Sequence, residues 1–259
     1  MIAQQIINGL EERYPKRLAE DWDNVGLLLG DNKQEIKKVQ LSLDITDKAI
    51  ENAVKNGVNM IVTHHPFIFK GIKNIDFSTT IGKKIRDLIK NDISVYSIHT
   101  NLDSAQGGLN DYLLSLLDIC ESKVIDKNSE NESCGIGRLY KLKEETLLKE
   151  YIVQLKERFQ LENLRVITES DEVKIKRVAL INGSGMSYWR KVKSLGADLF
   201  ITGDVGYHEA LEAKESGLTV IDIGHFEGEQ HFVRLLKTYF EKINIDVIIY
   251  NDGPTFKIY

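Results

Sequence analysis

The chain repeats its own pattern at a fixed interval, and that repeat limits what it can fold into. Val39-Gln40-Leu41-Ser42 is answered by Val178-Ala179-Leu180-Ile181, and Gly57-Val58-Asn59-Met60-Ile61-Val62-Thr63 by Gly196-Ala197-Asp198-Leu199-Phe200-Ile201-Thr202. The interval is 139 residues at Val39/Val178, at Gly57/Gly196 and at Thr63/Thr202. A third apolar run, residues 93–98, has its echo in residues 218–223. Short apolar runs separated by helical periodicity are the mark of buried parallel strands with crossover helices. Identities between the copies are few, and any two βαβ units share this order. The constant spacing is what favours duplication. The expected fold is therefore α/β, with two similar α/β halves related by a pseudo-twofold, each a sheet flanked by helices. The halves are residues 1–120 and 121–259, and helices from the C-terminus are able to pack on the first.

At 259 residues, burial is sufficient for such a fold. A net charge of −5 provides no global basic field, which counts against a nucleic-acid partner. No apolar run is long enough to cross a bilayer, and the N-terminal stretch lacks the basic region and cleavage site of a signal peptide. Cys120 and Cys134 are far apart with no CxxC partner, so reduced thiols in a cytoplasmic protein are expected.

Along the chain, residues 2–14 place Ile2, Ile6 and Leu10 on one helical face, and Pro15 ends that helix. Asp23-Asn24 supply a turn into an apolar strand, with Trp22 expected as a packing residue. A strand over 39–43 leads to a helix over 48–56, capped by Thr46 or Asp47 and closed by Gly57. The next strand ends in Thr63-His64-His65-Pro66. A helix over 81–90 directs Ile81, Ile85, Leu88 and Ile89 inward, and strand 93–98 delivers a loop, His99-Thr100-Asn101-Leu102-Asp103. Gly107-Gly108 turn into a helix over 109–117. Residues 121–133 read as a connecting loop, 135–140 as an edge strand and 144–159 as a charged helix with Leu147, Leu148, Tyr151 and Leu155 inward. Short strands follow at 164–167 and 173–175, around a Ser170-Asp171 turn. A final helix spans 230–240.

Histidines and acids gather after the strands. Neighbouring strand side chains point to opposite faces, so His64 and His65 rarely both serve a core. Beyond the strand end both can turn to one cavity, although one buried and one exposed imidazole is the plainer outcome. His225 and Glu229 are four apart at a helix start, which stacks them on one face. With Asp103, the set is His64, His65, Asp103, His225 and Glu229. These nitrogen and oxygen donors suit zinc, manganese, iron or cobalt rather than calcium. Five ligands exceed one tetrahedral site, so two divalent ions bridged by Glu229 and water fit better. His99 and His208 are candidate catalytic residues. His99 can support a ligand or carry a proton, against a structural role in its own loop, and His208 stands beside Asp204 at a helix start. Asp44 can orient a ligand, and His231 reads as an ordinary surface or interface residue.

These stretches resemble the GTP cyclohydrolase 1 type 2 homolog (Nif-three-like) family. The motifs are Trp22-Asp23-Asn24-Val25-Gly26-Leu27, Thr63-His64-His65-Pro66, His99-Thr100-Asn101-Leu102-Asp103, Thr202-Gly203-Asp204 with Tyr207-His208-Glu209, and Gly224-His225-Phe226 with Glu229. The resemblance implies a dinuclear site in the cleft between the halves. His65 and Asp103 would hold one ion, His64 and His225 the other, and Glu229 would bridge them. It also implies a toroidal homohexamer. The stretch between Leu117 and Val178 is too short for the inserted domain of longer relatives. The expected activity is metal-dependent hydrolysis of a nucleotide or related small molecule by a hydroxide shared between the ions, cyclohydrolase-like or phosphoesterase-like. The other reading is a non-enzymatic, metal-binding hexamer that assembles or regulates a partner.

Overall fold

The three apolar runs of each repeat become three adjacent parallel strands. The computed structural model describes residues 1–170 and 172–258, so Asp171, expected in a turn, lies outside the described residues. The chain divides into two compact units, one of Met1–Leu102 with Phe232–Pro254, the other chiefly Asp103–His231.

The first unit begins with α1 (Ala3–Arg13), whose buried face is Ala3, Ile6, Ile7 and Leu10. Strand β1 (Gly26–Leu29) follows the Asp23-Asn24 turn, and β2 (Lys38–Ser42) is the first strand of the repeat. Thr46 caps α2 (Asp47–Lys55) by accepting a hydrogen bond from the Ala49 N–H at 3.0 Å. Then come β3 (Met60–Thr63), α3 (Thr80–Lys90) and β4 (Ser94–Ser97). Ile89 does not face inward. It is 60% exposed, because the last turn of α3 is covered only on the flank carrying Leu88. The stretch 100–104, expected as loop, is a short helix, α4 (Thr100–Ser104), and the division between units falls inside it. Ile45, Ile50, Ala53, Val58, Ile61, Leu88, Ile93 and Val95 form one core cluster of this unit.

The second unit holds α5 (Leu109–Leu116) and a strand not expected from the sequence, β5 (Lys123–Lys127). Its alternation is disguised by charge, since only Ile125 is fully buried. Strand β6 (Gly135–Leu147) is not an edge: it pairs antiparallel with β5 on one side and on the other with the strand at 174–180. A register irregularity between Lys141 and Thr146 carries β6 through residues 144–147, so the helix expected there starts late, as α6 (Leu148–Phe159). Strand β7 (Arg165–Ile167) is followed by β8 (Lys174–Leu180), which runs together the pieces expected at 173–175 and 178–181. The rest is α7 (Trp189–Ser194), β9 (Leu199–Thr202), α8 (Tyr207–Glu215), β10 (Thr219–Asp222) and α9 (His225–Glu229). The sheet order is β5-β6-β8-β9-β10-β7, over a core including Ile181, Trp189, Phe200, Val205 and Val220.

The expected last helix starts two residues late, after a separate short helix, α9. His231 lies in the turn after α9 and is buried, its ring against Tyr112 (6.4 Å between centroids) and Phe159 (5.8 Å). It is a core residue of the second unit, not a surface one; the flanking helix pattern gave no sign of the break. Helix α10 (Phe232–Lys242) and strand β11 (Asp246–Ile249) complete the first unit. There β11 pairs parallel with β2, giving the order β1-β4-β3-β2-β11. The chain is thus mixed α/β, with two sheets flanked by helices. In each sheet the three repeat strands are parallel neighbours, and an antiparallel strand lies beside the third, β1 on β4 and β7 on β10. No helix among the described residues is long and apolar enough to cross a membrane.

Candidate metal centre

In the first unit, three imidazoles leave the ends of β3 and β4. The Thr63 hydroxyl donates to the His65 carbonyl (2.8 Å) and bonds the Ser97 hydroxyl (2.8 Å), which fixes how the chain leaves β3. His64 is buried, its ring stacked on Phe232 at 5.6 Å, and its Nδ1 lies 2.9 Å from the Ile98 carbonyl oxygen. A carbonyl can only accept, so Nδ1 carries the proton and Nε2 is the basic nitrogen. His65 Nδ1 meets Asp44 Oδ1 at 2.9 Å, and His99 Nδ1 meets Asp23 Oδ1 at 3.0 Å. Both partners are carboxylates, so the same tautomer follows. Ring centroids are 5.5 Å apart for His64 and His65, 5.1 Å for His64 and His99, and 5.7 Å for His65 and His99. Neutral imidazoles with Nδ1–H anchored on an oxygen are the donor arrangement that metal-binding histidines show.

Asp23 is itself held by further bonds. Its other oxygen accepts from the Thr100 N–H at 3.1 Å and from the Thr100 hydroxyl at 2.5 Å. Burial pushes the Asp23 carboxyl up, but the hydrogen bonds and charge of His99 and the bonds from Thr100 outweigh it, holding the group at about 2. Beside His65 opens a cavity of about 300 Å³ lined by Asp44, Ile45, Pro66, Phe67, Ile81 and Lys84, among others.

In the second unit, the ends of β8, β9 and β10 carry Asn182, Gly203-Asp204 and Gly224-His225. His225 Nδ1 lies 2.7 Å from Asp204 Oδ2, and His225 Nε2 pairs with Glu229 Oε2 at 2.8 Å across one turn of α9. Asp222 shapes the start of that turn by accepting from the Gly224 N–H (2.9 Å) and the Val205 N–H (3.2 Å). Gly183, at φ +61°, leaves room for Glu229: a Cβ there would stand 2.1 Å from Glu229 Oε1. Asp103 is buried, and its Oδ1 accepts from Asn182 Nδ2 at 3.0 Å. Asn110 closes the network, donating to the Asp103 carbonyl (3.1 Å) and accepting from the Asn182 N–H (3.1 Å). His208 is exposed on the first turn of α8, edge-on to Tyr207.

Within this frame the residues fit divalent cations: imidazole nitrogens fixed as single tautomers, and carboxylates held by hydrogen-bond donors. Sequence reasoning had named Asp44 as an orienting residue. It did not assign that role to Asp23 or Asp204, nor single out Asn110 and Asn182. Asp204 carried a signal, since it occupies the repeat position of His65.

The sequence profile of the Duf34/NIF3 (NGG1p interacting factor 3) family matches residues 1–254. The chain belongs to this family. Among its Duf34/NIF3 relatives is a protein of Clostridium perfringens, 42% identical over 248 residues, covering 95% of this chain and 94% of that one. A Campylobacter jejuni relative is 36% identical over 249 residues, covering 96% of each chain. Both carry the name GTP cyclohydrolase 1 type 2 homolog. Of solved structures, a Staphylococcus aureus protein superposes with a TM-score of 0.89 at 30% identity, covering 100% of this chain and 99% of that one. Reduced HcgD from Methanocaldococcus jannaschii gives 0.85 at 32%, covering 96% and 97%. This Duf34/NIF3 chain therefore carries the family fold, with histidines and carboxylates that could hold metal ions at the ends of its repeat strands.

Proposed function

We propose that the protein binds two divalent metal ions and hydrolyses a nucleotide or related small molecule. His64, His65, Asp103, His225 and Glu229 would supply the ligands of the two ions, as the family resemblance implies, with Glu229 bridging. The observation that carries it is the shared anchoring of the ligand imidazoles: His64, His65 and His225 each hold Nδ1 against an oxygen. Zinc, manganese or iron suits the donor set. When bound, such ions would lower the pKa of a water and polarise the group under attack. Asp44, Asp23 and Asp204 hold the rings, Asn182 holds the Asp103 carboxylate, and His99 or His208 would transfer protons.

The alternative is a non-enzymatic ring of six copies that binds a partner. The segment between Pro66 and Thr80 favours some association, since Ile72, Ile75 and Phe77 are exposed there. One experiment separates the two. Metal-loaded protein is incubated with GTP and with a chromogenic phosphodiester, alongside His65→Ala. Turnover that follows metal content supports the hydrolase. Bound metal without turnover across a panel of nucleotides supports the other reading.

A further inference from the structure

We infer that Trp22 and Phe69 form a platform for a planar nitrogen heterocycle beside His99, which rests on the reading that this site takes a small molecule. Trp22 was expected to pack, but its side chain lies largely in water, 58% exposed. Phe69 is 45% exposed, and the two rings stand 5.8 Å apart at 49°. The indole also meets the His99 ring at 6.1 Å and 73°.

The indole is not at a slack loop tip, because the residues after it are tied down. Asp23 bonds His99 and Thr100, and Asn24 Nδ2 donates to the Ile68 carbonyl at 2.5 Å. The second bond ties the Trp22 turn to the residue before Phe69. Half-buried polar groups thus hold two large aromatic rings in water at a set angle. Leaving such surface uncovered forgoes roughly 25 cal/mol for each Å² that contact would bury. Covering it favours a ligand of matching shape. A wedge of 49° accepts one flat ring on the indole face with the phenyl as a side wall. Since His99 Nδ1 is committed to Asp23, its Nε2 is the atom able to meet a ring heteroatom. An aliphatic ligand would use neither the π-faces nor that nitrogen.

The test uses full-length protein stripped of metal, so that its outcome is independent of metal loading. Adenosine and guanosine are titrated with ribose 5-phosphate as the ringless control. The other tryptophan, Trp189, is buried, so a change in emission reports Trp22. Both nucleosides are expected to quench emission, and ribose 5-phosphate to leave it unchanged. Equilibrium dialysis of Trp22→Ala should show nucleoside affinity lowered about tenfold, the usual size of one base–aromatic stack. Trp22→Phe should restore most of it, and Phe69→Ala should cost severalfold. Circular dichroism of each variant confirms its fold. The platform is overturned by nucleoside affinity unchanged in Trp22→Ala, by equal binding of ribose 5-phosphate, or by no nucleoside binding at millimolar concentration. It is equally overturned if emission follows protein concentration instead of nucleoside, which would make Trp22 a contact between copies. Failure of the metal reading would show separately, as absence of metal from the untreated protein.

Discussion

The two units each use one device, a carboxylate at one strand end orienting an imidazole at the next. In the first, a carboxylate after β2, Asp44, orients an imidazole after the neighbouring β3, His65. In the second, a carboxylate after β9, Asp204, orients an imidazole after the neighbouring β10, His225. The device is shared but displaced by one strand. At the repeat position of His65, which receives an anchor, stands Asp204, which provides one. The duplicated strand trio therefore preserves the location of the chemistry, the strand end, while leaving open which end carries nitrogen and which carries oxygen. The first unit carries His64, His65 and His99 at its strand ends, and the second carries His225 with the carboxylates of Asp204 and Glu229.

The largest effect expected from breaking this comparison is on metal content. Glu229→Ala should lose both ions and all metal-dependent turnover, whereas Asp103→Ala should lose chiefly one. Elemental analysis of the two purified variants measures this, and undiminished metal in Glu229→Ala would sink the shared-ligand assignment. The next effect concerns stability. Beside the first strand of its trio, the second unit has β6, whose Arg138 is almost wholly buried. Its Nε bonds Asp111 Oδ1 at 2.5 Å, and it donates to the carbonyls of Gly135 (2.7 Å), Gly137 (3.0 Å) and Ala105 (3.2 Å). Arg138→Ala strands Asp111 and these carbonyls, and should cost about 3–5 kcal/mol in urea denaturation.

The shared device itself is tested by Asp44→Asn and Asp204→Asn. Each removes the charge behind one imidazole and keeps its shape, so each should weaken metal binding about 10–100-fold, with the fold intact. Competition against a chelator of known affinity gives the number. Comparable losses would confirm that the two anchors are equivalent; a loss confined to one unit would show that the likeness is of position only.

What the sequence revealed follows from which patterns are local. The trio strands were legible because apolar runs and their capping residues, such as Thr46, sit next to one another in the chain. Ligand candidates were legible because histidine and acid after a strand are unusual neighbours. The anchors were less so: Asp23 reaches His99 across 76 positions and Asn182 reaches Asp103 across 79, distances at which no spacing rule operates. Strand β5 was hidden because charged residues fill its exposed positions, and β6 because its ladder irregularity overrides the helical character of 144–147. Trp22 was misjudged for a different reason: tryptophan usually packs, and only coordinates reveal one left in water.

The smallest effect comes from the strand that takes the place of β6 in the first unit. There β11 lies parallel on β2, with Val247 and Ile248 only half covered, and its start is marked by an ion pair, Lys38 Nζ to Asp246 Oδ2 at 3.1 Å. Asp246 is 64% exposed, so water screens the pair and holding two side chains in place offsets part of the attraction. Asp246→Ala should therefore change stability by less than about 1 kcal/mol, against the several expected for Arg138→Ala. Urea denaturation of both variants under one condition tests the ranking. A loss at Asp246 as large as that at Arg138 would mean that β11 is held by this bridge, and not by its four-residue ladder on β2.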